Sequence, residues 1–150
     1  MTEVEEAADE SSGIAKLPIA AALVAVAGLV DAAYLTVHHM TAVPVPCSLI
    51  DGCETVLTSS YAEIAGIPLA AFGAAAYFAA FSLALLAAFG NRLMWTLFGV
   101  QAFLMALFSG WLIYLQAAVI GAFCQFCLLS AITSLTLFAL FVISLLIKRR

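Results

Sequence analysis

Four long apolar segments constrain the fold of this chain more than any other feature. They cover residues 17–39, 68–89, 93–120 and 124–147, and a helix needs about 20 apolar residues to cross the hydrocarbon core of a bilayer. Charged residues make up only 9% of the chain, against roughly 25% in an average soluble domain. A soluble fold could not bury so much apolar surface. The sequence therefore predicts an all-α fold, a polytopic four-helix bundle in a membrane.

The connections between the predicted spans differ in length. Residues 90–92 separate the second and third spans, whereas the long connection, residues 40–67, carries two prolines and two cysteines. A long loop in a chain otherwise made of spans is typical of a functional segment. We therefore expect a membrane domain at 17–147 and a basic end at 148–150. Five of the nine acidic residues lie near the start of the chain, so residues 1–16 are predicted to form a disordered acidic tail.

The basic residues all fall on one side of this four-span arrangement. Lys16 precedes the first span, Arg92 lies in the short turn, and residues 148–150 close the chain. Loops rich in lysine and arginine stay on the cytoplasmic side of a membrane. Both termini are therefore predicted to be cytoplasmic and the long loop extracytoplasmic, where disulfides persist.

The start of the second span is rich in alanine and glycine. Pro68 suits a first helical turn, because its missing N–H is not needed there. The small side chains at residues 70–76 allow another helix to approach closely. We expect this stretch to be a helix-packing surface.

The four cysteines form two pairs on the predicted outer side. Cys47 and Cys53 lie in the long loop, and Cys124 and Cys127 begin the fourth span. Two inert disulfides that staple the outer surface are one interpretation of this pattern. A zinc site is another, but Cys-x5-Cys is a poor half-site for zinc, and we expect no metal.

The Cys-x-x-Cys spacing favours redox chemistry. Cys124 and Cys127 are three residues apart and share one face of a helix. In a first helical turn, free N–H groups and the helix dipole stabilise a thiolate, which is the reactive form of cysteine. Cys47 and Cys53 follow turn residues and are predicted to be accessible. The two pairs together suggest a relay from a soluble protein to an acceptor dissolved in lipid.

Quinone is the obvious lipid-soluble acceptor of two electrons for such a relay. The residues alone leave the direction of electron flow open, although an oxidising outer compartment favours disulfide production. A non-catalytic small membrane protein with stapled outer loops is the alternative from a different class of function.

Five stretches of sequence together resemble the vitamin K epoxide reductase family, in particular its bacterial members. They are GLVDAAYLTVHH in the first span, CSLIDGC and then TSSYAEIAGIP in the long loop, LAAFGAAAY in the second span and FCQFC at the start of the fourth. The resemblance covers roughly residues 17–147. It implies a four-helix bundle around a quinone, either menaquinone or ubiquinone, in the cytoplasmic (inner) membrane of a bacterium.

The resemblance also implies a role for each cysteine. Cys127 would pass electrons to the quinone, with Cys124 as its disulfide partner. Cys124 would receive electrons from Cys53, and Cys47 would form a mixed disulfide with a soluble extracytoplasmic thioredoxin-fold protein of the DsbA type. The implied activity is that of a quinone-dependent thiol:disulfide oxidoreductase that supports disulfide formation. Its partners would be that protein, quinone and the lipid bilayer, with no nucleic acid.

Other residues are candidates for contact with the quinone. Ser59 matches a hydroxyl position in the family's loop, or it is an ordinary helix cap. Leu69 occupies the position at which some relatives carry an asparagine that binds a quinone carbonyl, and Ala131 that of a tyrosine in animal enzymes. These departures favour a plain quinone as substrate, with vitamin K epoxide as the alternative. Trp111 and Tyr114 are either quinone contacts or interfacial belt residues.

Several polar residues lie in or near the first span. Asp31 lies within it, where an ionisable side chain is costly, so it either delivers protons to the reduced quinone or is a hydrogen-bonded structural residue. His38 and His39 are interfacial anchors or proton carriers. Glu63 suits a solvated position, and Gln116 is predicted in the outer half of the third span.

Overall fold

The computed structural model describes the backbone of residues 2–149 and the side chains of residues 16–149. Most of the tail expected at 1–16 lies outside the described side chains, and its disorder stays a prediction. In chain order the elements are helix α1 (Thr2–Thr41), short helix α2 (Cys53–Leu57), strands β1 (Glu63–Ile64) and β2 (Ile67–Pro68), helices α3 (Leu69–Ala88) and α4 (Arg92–Tyr114), the π-helical segment Leu115–Ile120, and helix α5 (Gln125–Arg149).

Four of these helical stretches are long and apolar enough to cross a membrane. They are Lys16–Thr41, Leu69–Ala88, Arg92–Ile120 and Gln125–Arg149. Each boundary lies within two residues of the one expected from hydropathy. The prediction of an all-α, four-span membrane protein is therefore confirmed.

The four spanning helices form a ring of neighbours. Helix α1 packs against α3 and α5, and α4 packs against the same two helices. Because lipid is as apolar as leucine, contacts between such helices depend on close van der Waals packing. Small side chains provide it here, since Ala21, Ala25, Ala80 and Ala84 are all fully buried.

The small residues at 70–76 contribute both to this interface and to a cavity. Ala74 packs against the buried core cluster, and a Cβ at Gly73 would lie 3.7 Å from the Cβ of Ala32 on α1. Ala70, Gly73 and Ala76 also line a cavity. The expected packing surface is therefore present here, but the fully buried alanines of α3 begin only at Ala80.

Local sequence explains where the elements begin and end. Asn91 caps α4, because its side-chain oxygen accepts hydrogen bonds from the N–H groups of Leu93 and Met94. The φ angles of Ala65 and Gly66 are positive, at 53° and 79° respectively, as a tight turn between paired strands requires. At the end of α4, the π-helical segment stops at Gly121, whose φ is 71°. The chain can then turn directly into α5.

Candidate functional site: two cysteine pairs and a cavity

All four cysteines converge at one end of the bundle. Cys47 and Cys53 are joined in a disulfide, whereas Cys124 and Cys127 are free thiols. The four side chains belong to one cluster around Val56. The loop pair therefore lies directly against the Cys-x-x-Cys motif, as a relay between the pairs would require.

The lysine and arginine residues that the structure describes lie at the opposite end of the bundle from the cysteines. Arg92 begins α4 and Lys148 lies in the last turn of α5, whereas the cysteine motif lies where α4 gives way to α5. The separation expected from sequence thus exists in the fold. The side of the membrane that each end faces stays a prediction.

The two loop cysteines have different environments. Cys47 is partly exposed, but Cys53 is only 2% exposed. The expectation that both are accessible is wrong for Cys53, because α2 places this first residue against the Cys-x-x-Cys motif. Gly52 makes the approach possible, since a Cβ at this position would overlap the carbonyl oxygen of Phe123.

The Cys-x-x-Cys motif occupies the start of α5. The Cys127 N–H lies 3.4 Å from the Cys124 sulfur and donates to it. Hydrogen bonding from the Cys127 side chain has the largest effect on the Cys124 thiol. Together with the backbone N–H groups of Cys127 and Phe126, it lowers the pKa of Cys124 from 9.0 to about 7 against the opposing effect of burial. The helix start contributes to thiolate stabilisation, but less than the neighbouring thiol does. In the disulfide, Cys47 and Cys53 have no thiolates to offer a zinc ion.

Two glutamines hold the motif in place. The side-chain oxygen of Gln116, a residue only 3% exposed, accepts a 2.8 Å hydrogen bond from the Cys124 N–H. The side-chain oxygen of Gln125 accepts a 3.0 Å hydrogen bond from the backbone N–H of Leu49 and so ties the loop to α5. Neither role was predicted from the sequence. Two features of the sequence could have indicated these roles. Gln116 is a polar residue inside an apolar span, and Gln125 lies between the two cysteines of the motif.

A cavity of about 410 Å³ opens beside Cys127. Of the residues predicted to contact a quinone, Cys127, Ser59 and Leu69 line it. Ala131 and Gln116 also line it. The hydroxyl of Ser59 donates a 2.7 Å hydrogen bond to the Val56 carbonyl, so this residue both closes the last turn of α2 and borders the cavity.

Trp111 and Tyr114, the other residues considered as quinone contacts, lie away from the cavity. They are 54% and 57% exposed, and their rings stack on each other with centroids 5.9 Å apart. Neither side chain lines the cavity. Their position on the outside of α4 matches that of interfacial belt residues.

The polar residues of α1 differ in their burial, in their hydrogen-bond partners and in whether they line the cavity. Asp31 is 7% exposed, and within residues 16–149 its Oδ2 atom has no hydrogen-bond partner. His38 lies 3.1 Å from the Val43 carbonyl through Nδ1. His39 pairs with Glu63 at 2.6 Å and, unlike Asp31, lines the cavity.

Comparison with known families agrees with this arrangement of thiols in a membrane bundle. The family model described as "Vitamin K epoxide reductase family" matches residues 19–142, which is most of the chain. The protein therefore belongs to the vitamin K epoxide reductase family. Membership makes it a membrane-embedded redox oxidoreductase.

Proposed function

We propose that this protein is a thiol–quinone oxidoreductase that reoxidises a soluble, extracytoplasmic thioredoxin-fold protein of the DsbA type. One observation carries the proposal. Buried Cys53 lies in the same cluster as Cys124, while Cys127, one helical turn further on, borders the cavity. The cysteines thus form a continuous route from a partly exposed sulfur at Cys47 to an apolar chamber.

Electrons enter at the loop pair. A thiolate of the partner attacks Cys47, the more exposed sulfur of the disulfide, and Cys53 leaves as a thiolate. The second thiol of the partner then resolves the mixed disulfide, so that the partner becomes oxidised and the loop pair becomes a dithiol. Two electrons and two protons have moved from the partner at this stage.

The inner pair passes the electrons on. The Cys53 thiolate attacks Cys124 of the oxidised Cys124–Cys127 pair, and Cys127 is released. Cys47 then attacks Cys53, which re-forms the loop disulfide and leaves the inner pair as a dithiol. That dithiol is reoxidised when quinone takes up two electrons and two protons. The low pKa of Cys124 keeps a thiolate available to close the inner disulfide.

The cavity suits a quinone as substrate. Its volume of about 410 Å³ falls in the usual range for small-molecule pockets, about 300–1,000 Å³. Apolar walls from α3 and α4 surround a few hydroxyl groups, which matches an apolar ring with two carbonyl oxygens. Menaquinone and ubiquinone both have this chemistry.

The proposed orientation has the cysteine end facing the outer compartment of a bacterial cytoplasmic membrane. The clustering of Arg92 and Lys148 at the other end supports it. The partner would then reach Cys47 from the aqueous phase.

Purified protein in detergent, supplied with a reduced thioredoxin-fold protein and either quinone, tests the proposal. We expect quinone reduction that Cys127→Ala lowers at least about 10³-fold, because the sulfur beside the cavity is lost. Ser82→Ala is the matched control, since this hydroxyl bonds only to the Phe78 carbonyl on an exposed face of α3. Quinone reduction that survives replacement of all four cysteines would exclude the relay. Faster turnover with vitamin K epoxide than with quinone would assign the epoxide as substrate.

A further inference from the structure

A cluster of hydroxyl groups surrounds the phenol of Tyr77 deep in the bundle. The Tyr77 oxygen lies 2.6 Å from the Ser130 carbonyl, 2.6 Å from the Thr133 hydroxyl and 2.8 Å from the Ser134 hydroxyl. The Ser130 hydroxyl is 3.1 Å away. Tyr77 itself is only 1% exposed. Four hydroxyl groups from two helices therefore meet at one point between α3 and α5.

Two hydroxyl hydrogens of this cluster, those of Ser130 and Ser134, are not donated to a backbone carbonyl within the described part of the chain. Thr133 can donate to the carbonyl oxygens of Leu129 and Ser130. The phenol donates its single hydrogen to the Ser130 carbonyl and accepts from one or two neighbouring hydroxyls. Ser130 and Ser134 make no other side-chain hydrogen bond among the described residues, so their hydrogens can turn to an acceptor that enters the cavity.

The cluster and Cys127 border the same chamber. Tyr77, Ser130 and Ser134 all line the cavity that Cys127 borders. Ser130 and Ser134 follow Cys127 by three and seven residues on α5, which places them about 4.5 and 10 Å further along the helix axis on the same face. A quinone is a flat ring with a carbonyl oxygen at each end. At this spacing it fits between the Cys127 sulfur and the hydroxyl groups of the cluster.

The position of the Tyr77 ring is fixed by Gly28 of α1. A Cβ at residue 28 would overlap the ring of Tyr77. The ring therefore packs directly on the α1 backbone, and its hydroxyl points toward α5. Rigid placement of this kind is what a preorganised hydrogen-bond donor requires.

We propose that the Tyr77–Ser130–Ser134 hydroxyl cluster binds the quinone carbonyl oxygen that points away from Cys127. This inference rests on the proposed function and deepens it, because it names the groups that orient the substrate. A carbonyl oxygen accepts hydrogen bonds and donates none, so it matches a set of surplus donors. Negative charge grows on this oxygen as electrons arrive, and the donors stabilise it in a chamber with mainly apolar walls.

Infrared spectroscopy of a bound, carbonyl-¹³C-labelled menaquinone tests the assignment. The protein is used with all four cysteines oxidised, so that the quinone binds without being reduced. Tyr77→Phe should move the labelled carbonyl band to higher wavenumber and weaken menaquinone binding about tenfold, because the Ser130 and Ser134 hydroxyls lose the phenol that positions them. Tyr114→Phe is the matched control, because Tyr114 lies outside the cavity. An unchanged band and affinity in Tyr77→Phe would overturn the assignment.

A second variant covers the case in which Tyr77→Phe does not fold. The double variant Ser130→Ala, Ser134→Ala keeps the phenol and its packing against Gly28 but removes the surplus donors. It should shift the same band and weaken binding by about threefold to tenfold, and an unchanged band would again count against the cluster. Thiol exchange from a reduced partner to the Cys124–Cys127 pair should be unaffected in either variant. Absence of saturable binding of both menaquinone and ubiquinone to the wild-type protein would instead overturn the proposed function.

Discussion

The two halves of the bundle contain the same types of small residue, but these residues serve opposite purposes in each half. In the half nearer the basic end, Ala25 and Ala84 are fully buried and let helices α1 and α3 touch. In the half nearer the cysteines, Gly73 and Ala76 line a cavity. Tyr77 lies at the border between the halves, with its ring against Gly28. One half provides a rigid base, and the other keeps space for a ligand.

The two halves also differ in their backbone. The basic end joins α3 to α4 by a short turn with an asparagine cap. The cysteine end contains a π-helical segment, a left-handed glycine and a five-residue helix. Such irregular backbone is tolerated near a membrane only where other groups satisfy its hydrogen bonds, and Gln116 and Gln125 do so here. The molecule concentrates its irregularity where sulfur atoms must come into contact.

Among substitutions outside the cysteines, the largest effect is expected from Gly52→Ala. A Cβ at this position would overlap the Phe123 carbonyl oxygen, so the loop pair would move away from Cys124. We expect electron transfer from the loop pair to the inner pair to slow about 10²-fold, as for other small misplacements of reacting groups. Rapid-quench trapping of the cysteine redox states measures this step. Gly110→Ala, which meets no atom within 4 Å, should behave as wild type, and equal rates in both variants would show that the docked loop is not required.

A paired substitution on α3 tests the contrast between the two halves. Ala84→Leu inserts atoms into the fully buried interface and should destabilise the protein by about 1–3 kcal/mol. Ala76→Leu fills the cavity instead, so it should cost less stability but weaken quinone binding. Thermal unfolding in detergent and quinone titration separate the two outcomes. Similar loss of stability in both variants would contradict the division of the bundle into a packed half and an open half.

The thiolate of Cys124 gives a pH-dependent signal. Because its pKa is lowered to about 7, the thiolate forms as the pH rises through 7 and is lost below it. Cys127→Ala removes the hydrogen-bonding side chain, so the pKa should rise toward the ordinary value of 9.0. Thiolate absorbance at about 240 nm, measured with the loop pair oxidised, follows this titration. Cys127→Ser, which keeps a donor, should leave the midpoint nearer 7, and a midpoint near 9 in the wild type would refute the assignment.

The smallest effect is expected from the outer face of α4. Trp111 and Tyr114 are more than half exposed and do not line the cavity. The double variant Trp111→Phe, Tyr114→Phe should therefore change the KM for quinone less than about twofold, since exposed substitutions away from a site have small effects. A larger rise in KM would show that these residues do contribute to quinone binding.

Much of the architecture could be predicted because it depends on local composition. Runs of about 20 apolar residues define spans wherever they occur, so four helices followed from the sequence. The placement of Cys124 and Cys127 on one face at a helix start followed from their spacing. The burial of Cys53 did not, because it depends on how α2 docks against Phe123.

The faces of the helices were harder to predict for a physical reason. A helix in lipid is apolar on all sides, so no stripe of hydrophobic residues marks the side that faces the bundle. The alanines at 70–76 and those at Ala80 and Ala84 look alike in sequence, yet only the second group is fully buried. Likewise, the sequence did not determine whether Trp111 and Tyr114 face the bundle or its outside, because that depends on how α4 packs.

The sequence by itself determined four spans, basic residues at one end and two cysteine pairs at the other, because each follows from residue type and spacing along the chain. Only the tertiary structure decided that Gln116 holds Cys124, that Cys53 is buried, and that Tyr77 meets the hydroxyls of α5. These features depend on which faces of distant helices meet. In a bundle of nearly uniform apolar helices, close packing and a few buried hydrogen bonds decide that question.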